Sequence, residues 1–286
     1  MDIILGKTAG FCYGVERAVN GAKEELRNNK DISCLGEIVH NKQVVKSLEQ
    51  NGMKFVDDIR ESKQKVIIRA HGVVKEIYEY AEKNAIELKD YTCPFVIKIH
   101  KLAQKYANQG YYIFLCGNAK HPENIGTMSR CRNNFSIIEN VDDVFNVLEK
   151  YRDSDIKNLL VISQTTYSLE KFKKIEKIIK ENIKEREEIN LVINNTICNA
   201  TQVRQEETKE ISKMVNYMII VGGKNSSNTR KLYEISKENC ENTISVETKD
   251  DVDEEEILKY EKIGIMAGAS TPKDVIEDIY ELLNSL

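Results

Sequence analysis

Three of the seven cysteines in this sequence are each followed, at one fixed distance, by a glycine that ends an apolar segment. The distance is 24 residues in the pairs Cys12 and Gly36, Cys93 and Gly117, and Cys198 and Gly222. Each interval contains an amphipathic segment and then a short apolar run, which predicts a helix followed by a strand. The repeat therefore predicts three α/β lobes of similar plan.

The whole chain alternates short apolar segments with amphipathic ones, which is typical of an α/β fold with mostly parallel sheets. The cysteine spacings of 81, 105 and, through the joined termini, 100 residues predict a pseudo-threefold trefoil that closes on itself. We expect the first strand, IILG, to complete the last lobe, because each of the other cysteines follows a strand of the lobe before it. The predicted lobes are 14–93, 94–195, and 196–286 together with 1–13.

The net charge is −4 and the isoelectric point is about 5.8, with lysine and glutamate mixed along the chain. This composition offers no basic face for nucleic acid, so we do not expect a nucleic-acid partner. The sequence has no apolar run long enough to span a membrane and begins without the features of a secretion signal. We therefore expect a cytoplasmic protein without membrane contact.

The cysteine pattern indicates metal or redox chemistry more than a disulfide framework. Seven is an odd number, no secretion signal precedes them, and no two cysteines have the CxxC spacing of a zinc ribbon. Three thiolates from three lobes could bind three irons of a 4Fe–4S cluster and leave the fourth iron open to substrate. A three-cysteine zinc site is an alternative, although such sites more usually add a histidine.

The other four cysteines are interpreted as packing residues. Cys34 and Cys116 lie inside predicted strands, where small apolar side chains are common. Cys131 and Cys240 are expected near helix ends, without a metal partner. The predicted cluster ligands are therefore Cys12, Cys93 and Cys198.

Polar side chains occupy equivalent loops of the three predicted lobes, where ligands of α/β sheets bind. They lie just after a strand and near a helix start, where backbone N–H groups and the positive helix end stabilise anions. The offset from the cysteine is 28 residues for one set and 72 for another, and the shorter first lobe has the counterpart loop RAHGV. The candidate anion ligands are His40, His71, His121, Ser226, Ser227, Asn228 and Ser270.

Glu123 follows His121 by two residues, so a carboxyl shares a loop with a candidate anion ligand and could donate protons. An exposed glutamate at a helix start is the alternative. Thr165 and Thr166 could relay protons or cap the helix that follows. His100 is interpreted as an ordinary helix residue. Because no nucleotide-binding motif is present, electrons are expected from an external donor.

Nine short motifs occur in one order along the chain, between Gly10 and Pro272: FCYGVERA, IVHN, AHG, TCPFV, HPE, QTT, CNATQVRQ, NSSN and GASTP. In this combination the sequence resembles the 4-hydroxy-3-methylbut-2-enyl diphosphate reductases of the methylerythritol phosphate pathway. The resemblance implies reductive dehydroxylation of that diphosphate to isopentenyl and dimethylallyl diphosphate. The electrons would pass through a 4Fe–4S cluster with one open iron, from a donor such as ferredoxin or flavodoxin.

The resemblance also implies roles for individual residues. Cys12, Cys93 and Cys198 stand at the cluster-ligand positions. Glu123, Thr165 and His121 stand at the catalytic positions, with Glu123 supplying protons. The implied substrate-binding residues are His40, His71, His121, Thr165, Ser226, Ser227, Asn228 and Ser270.

Two other classes of function fit an open iron. A hydro-lyase would add or remove water without net redox change, which an assay for electron consumption would reveal. A redox sensor would use the cluster to control a binding partner, but it would leave the histidine, serine and asparagine loops unexplained.

Overall fold

The computed structural model of the chain describes residues 1–29, 31–62, 64–152, 155, 157–183 and 188–286. The strands are β1 (Asp2–Leu5), β2 (Ile32–Leu35), β3 (Lys54–Val56), β4 (Lys65–Ile68), β5 (Glu87–Asp90), β6 (Tyr112–Cys116), β7 (Phe135–Ile138), β8 (Asn158–Ser163), β9 (Asn190–Ile193), β10 (Tyr217–Val221), β11 (Thr243–Val246) and β12 (Lys262–Ala267). The α-helices are α1 (Tyr13–Asn28), α2 (Lys42–Gln50), α3 (Lys75–Lys83), α4 (Pro94–Asn108), α5 (Pro122–Met128), α6 (Asp143–Arg152), α7 (Leu169–Ile183), α8 (Asn199–Ser212), α9 (Ser227–Asn239), α10 (Glu254–Ile257) and α11 (Lys273–Ser285).

These strands form three four-stranded sheets, and every strand pair recorded among the described residues is parallel. The strand orders are β3-β2-β4-β5, β7-β6-β8-β9 and β1-β12-β10-β11. Central strands such as β10 are buried at every residue, as expected for parallel strands covered by helices on both faces. The predicted α/β class with parallel sheets is confirmed.

The first strand pairs with the last one, as the repeat predicted. Ile3 lies opposite Ile263 and Leu5 lies opposite Ile265 in the parallel ladder between β1 and β12. The strand IILG therefore belongs to the third sheet, although the rest of that sheet lies near the other end of the chain.

The chain packs into two compact units. Unit 1 contains Met1–Asn28, Glu37–Met53 and Asn199–Leu286, and unit 2 contains Asn29–Gly36 and Lys54–Cys198. The third sheet lies in unit 1, and the first and second sheets lie in unit 2. The three lobe boundaries given above stay a prediction.

The second sheet shows how a sheet is fixed between two helical layers. Phe114 and Val161 pack on one face with residues of α6 and α7, in one hydrophobic cluster. Leu115 and Leu160 pack on the opposite face with residues of α4, in a second cluster. Because both faces are covered, the loops at the carboxyl ends of the strands are left to carry the polar side chains.

The glycines that end the repeated strands are required by their surroundings. Gly117 has a φ of +156° and Gly222 a φ of +150°, which other residues rarely adopt. A Cβ atom at Gly117 would lie 2.4 Å from Nδ2 of Asn124, and one at Gly222 would lie 2.6 Å from Oγ1 of Thr229. The following loops thus pack directly against the strand ends.

No helix among the described residues is long and apolar enough to cross a membrane.

Candidate active site

In unit 2, the predicted site residues lie at the carboxyl ends of strands. They follow β4, β5, β6, β8 and β9 in the order His71, Cys93, His121, Thr165 and Cys198. Cys93 is the N-cap of α4 and His121 is the N-cap of α5. The parallel topology explains this arrangement, because all strands of a parallel sheet end at the same edge.

Glu123 and Thr165 form a buried pair joined by two hydrogen bonds. The Thr165 backbone N–H donates to Oε1 of Glu123 at 2.6 Å, and the Thr165 hydroxyl donates to Oε2 at 2.6 Å. The carbonyl oxygen of Thr165 in turn accepts the backbone N–H of Cys198 at 3.1 Å. This chain of contacts connects the carboxyl to the backbone of one predicted cluster ligand.

Burial sets the ionisation of Glu123, whose side chain is only 2% exposed. Burial raises the pKa of this carboxyl to about 7, and the hydrogen bonds from Thr165 limit the rise. The alternative of an exposed glutamate at a helix start is therefore wrong. A carboxyl with a pKa near neutrality can both hold and release a proton at the pH of the cell.

Thr165 does not cap the helix that follows it. The N–H of Lys171 donates to the hydroxyl of Ser168 at 3.3 Å, so Ser168 caps the start of α7. The hydroxyl of Thr166 accepts a hydrogen bond from Nε2 of Gln164 at 2.8 Å. The capping alternative is wrong for both threonines, and Thr165 is the one that contacts Glu123.

His71 and His121 are brought together in unit 2. Their rings meet edge to face with centroids 5.3 Å apart. Nδ1 of His121 accepts the backbone N–H of Glu123 at 3.2 Å, which puts the proton of the neutral ring on Nε2. His121 can therefore present Nε2–H as a donor while its other nitrogen is held by α5.

His100 is more than an ordinary helix residue. Its side chain is buried and lies between two glycines, because a Cβ atom at Gly72 or at Gly126 would lie 2.9 Å from the imidazole ring. Burial, together with the nearby charge of Arg130, lowers the pKa of His100 to about 4, so the ring is neutral at pH 7. The sequence signal for this packing was a glycine inside the helix PENIGTM, which has no explanation until the fold is known.

In unit 1, the loop of Cys12 is fixed beside the end of β12. The N–H of Cys12 donates to the carbonyl oxygen of Ala269 at 3.1 Å, and Cys12 directly precedes α1. Ser270, the next residue, donates its hydroxyl hydrogen to the carbonyl oxygen of His40 at 3.2 Å. Gly223 also approaches His40, since a Cβ atom there would lie 2.7 Å from the same carbonyl oxygen. His40 and Ser270 therefore belong to one local cluster.

The start of α9 carries the predicted serines and asparagine. Ser226 is the N-cap, and its hydroxyl oxygen accepts the N–H of Thr229 at 3.3 Å. Asn228 is only 3% exposed, yet within the described part of the chain neither its amide nitrogen nor its amide oxygen has a hydrogen-bond partner. A buried amide costs free energy unless it is paired, so this side chain favours a bound polar ligand.

The thiols fall into two groups that match the prediction. Cys12, Cys93 and Cys198 are partly exposed, whereas the other four are buried. Burial raises the pKa of Cys34 and of Cys131 to about 12, and it also raises the pKa values of Cys116 and Cys240. A thiol that stays protonated is a poor metal ligand. The donor set left for a cluster is the predicted trio, whose convergence on one cluster stays a prediction.

Comparison with known proteins agrees with this site. A family model described as LytB protein matches residues 3–284. The chain is similar to the 4-hydroxy-3-methylbut-2-enyl diphosphate reductase of Caldanaerobacter subterraneus subsp. tengcongensis, at 40% identity over 100% of this chain and 98% of that protein. The protein of the same name from Aquifex aeolicus is 39% identical over 98% of this chain and 94% of its own length.

Solved structures give the same result. A structure of (E)-4-hydroxy-3-methyl-but-2-enyl diphosphate reductase, the terminal enzyme of the non-mevalonate pathway, matches with a TM-score of 0.70 and 36% identity, covering both chains completely. The structure of the E-1-hydroxy-2-methyl-but-2-enyl-4-diphosphate reductase from Plasmodium falciparum matches with a TM-score of 0.88 and 32% identity. The match covers 100% of this chain and 87% of that one.

Proposed function

Because this chain belongs to the LytB protein family, whose similar members are named 4-hydroxy-3-methylbut-2-enyl diphosphate reductases, we propose that it reduces that diphosphate to isopentenyl and dimethylallyl diphosphate. One structural observation carries the proposal. A buried carboxyl with a pKa near 7, on Glu123, is hydrogen-bonded to Thr165, which contacts the backbone of Cys198. Loss of a hydroxyl as water requires such a proton source.

The diphosphate is held by residues at the starts of helices and at strand ends. Ser226 and Asn228 lie at the start of α9, where backbone N–H groups and the helix dipole stabilise phosphate oxygens. The buried amide of Asn228, which has no partner within the described residues, supports this role. The remaining ligands are His40, His71, His121, Thr165, Ser227 and Ser270.

The cofactor is a 4Fe–4S cluster held by Cys12, Cys93 and Cys198. Each of these cysteines directly precedes a helix, and the positive end of a helix favours the thiolate form that binds iron. When bound, such a cluster supplies electrons one at a time and an open iron that acts as a Lewis acid. Three partly exposed thiols and four buried, poorly acidic ones fit this assignment.

The chain's own residues handle the protons. Glu123 holds a proton at neutral pH, and its Oε2 lies 2.6 Å from the hydroxyl of Thr165, which relays the proton toward the substrate. His121 orients the substrate with Nε2–H, since its Nδ1 is occupied by the backbone of Glu123. Proton delivery lets the hydroxyl leave as water, and reprotonation at either end of the remaining allylic group gives the two products.

The electrons come from an external one-electron donor such as ferredoxin or flavodoxin, and the enzyme works in the cytoplasm. The support is chemical. The sequence has no nucleotide-binding motif that would let the chain accept hydride from a bound nicotinamide cofactor.

An anaerobic assay tests this function. The reconstituted protein, with reduced methyl viologen as donor, is expected to consume two viologen electrons for every 4-hydroxy-3-methylbut-2-enyl diphosphate converted to the two products. Conversion of the substrate without viologen oxidation would instead identify a hydro-lyase. No conversion, together with an unchanged cluster spectrum on adding the diphosphate, would favour a redox sensor and contradict the proposal.

A further inference from the structure

Helix α8 is hydrogen-bonded to the loop that carries Cys12, through a contact that the proposed chemistry does not yet use. Arg204 of this helix is 3% exposed, and its guanidinium faces the loop. Nε and Nη2 of Arg204 donate to the carbonyl oxygen of Thr8 at 2.8 and 2.5 Å. Nη2 also donates to the carbonyl oxygen of Gly10 at 2.8 Å. One side chain thus fixes two peptide groups close to Cys12.

Glu207, one helical turn after Arg204, holds the preceding part of the same loop. Its Oε1 accepts the N–H of Lys7 at 2.7 Å, and its Oε2 accepts the N–H of Thr8 at 2.9 Å together with the Thr8 hydroxyl. Partial burial opposes ionisation of Glu207, but the hydrogen bonds from Thr8 and Lys7 outweigh it and lower the pKa. The carboxylate is therefore charged at neutral pH, and its bonds to the loop are the strong, charge-assisted kind.

These contacts matter because the loop needs an unusual backbone. Gly10 has a φ of +104°, and Cys12 is tied on the other side through its N–H to the carbonyl oxygen of Ala269. The loop is thus held from α8 before the cysteine and from the end of β12 at the cysteine itself. The same helix begins at Asn199, the residue after Cys198. One helix is therefore covalently joined to one proposed cluster ligand and hydrogen-bonded to the loop of another.

We propose that Arg204 and Glu207 are positioning residues that hold the Cys12 loop in the shape required for cluster binding. The inference rests on the proposed function, since it presupposes the cluster. Groups that orient metal ligands from outside the first coordination layer commonly control metal affinity as well as geometry. Loosening the loop is expected to release iron faster, even where the fold is kept.

The test uses Glu207→Gln and Arg204→Lys. Glutamine matches glutamate in shape, but its NH2 group cannot accept the hydrogen bonds that Oε2 receives from Thr8. Lysine keeps the charge but lacks the planar fork that reaches both carbonyl oxygens. The matched control is Glu206→Gln, since Glu206 is the exposed neighbour on the same helix.

The reconstituted full-length proteins are compared for iron content, for the electron paramagnetic resonance spectrum of the reduced cluster, and for the rate at which a chelator removes iron. Both variants are expected to lose the cluster about 10-fold faster than the wild type, with an altered resonance spectrum. The control is expected to match the wild type. The urea midpoint of the full chain after cluster removal is expected to move little for Glu207→Gln.

Wild-type rates of iron loss in both variants would overturn the inference. So would faster iron loss accompanied by an equally large fall in the urea midpoint, because the residues would then support the fold alone. If Arg204→Lys does not fold, Glu207→Gln decides. Failure of the proposed function is recognised separately, because in that case the wild-type protein itself would bind no iron–sulfur cluster.

Discussion

Replacing Glu123 with glutamine is expected to collapse turnover while leaving substrate binding largely intact. Glutamine keeps the shape of the side chain and can still accept the N–H of Thr165, but it has no proton to give. Removing a positioned general acid typically slows a reaction by about 100- to 10,000-fold. Anaerobic steady-state kinetics should show the loss in kcat with little change in the dissociation constant of the diphosphate.

Glu139→Gln is the matched control, since Glu139 is exposed and its carboxylate accepts only a backbone N–H, that of Ala119, in the described contacts. This variant is expected to turn over like the wild type. Near-normal turnover in Glu123→Gln would refute the proton role. An equal loss in both variants would point to general disturbance of the loop that precedes α5.

The pKa of Glu123 adds a pH signature to the same prediction. The folded-state pKa is about 7 instead of the usual 4.5, so the protonated form persists at neutral pH and is lost as the pH rises through 7. If this proton is delivered in the rate-limiting step, kcat falls above a pH of about 7. The residual rate of Glu123→Gln should lack this decline.

Replacing any one of Cys12, Cys93 and Cys198 with serine is expected to remove most of the iron and nearly all activity. Loss of a residue that only orients a metal ligand costs about 10- to 100-fold in affinity or activity, so loss of a ligand should cost more than about 100-fold. Iron analysis and the cluster absorption band measure the first effect, and anaerobic turnover measures the second.

Cys240→Ser is the control for these three variants. Cys240 is buried at the end of α9, and its Sγ lies 3.6 Å from the carbonyl oxygen of Asn242, so serine can occupy a similar place. The control is expected to keep its iron. A full cluster in one of the three serine variants would remove that cysteine from the proposed ligand set.

The sequence repeat predicted most of the fold because parallel strands leave a strong local signal. The apolar runs of β2, β6 and β10 were recognised, and so was the pairing of β1 with the last sheet. The strand β5 was missed. Its sequence ELKD has one apolar residue, since it lies at a sheet edge and its end residues are exposed. Edge strands of this kind carry too little hydrophobic pattern to be distinguished from loops.

The site could be predicted only where spacing or motif carried the information. The loop positions of His40, His121 and Ser226 follow from equal distances to three cysteines. The burial of Glu123 does not follow, because it depends on a contact with Thr165 that is 42 residues away in sequence. The same limit hid Arg204, which is 196 residues from its partner Thr8, although the motif CNATQVRQ contains it.

Iron and acid-labile sulfide analysis of the anaerobically prepared wild-type protein, with its absorption spectrum, tests the central claim most directly. A 4Fe–4S enzyme should contain about four irons and about four sulfides per chain and show a broad visible absorption that bleaches on reduction. Zinc in place of iron, with no sulfide, would contradict the account.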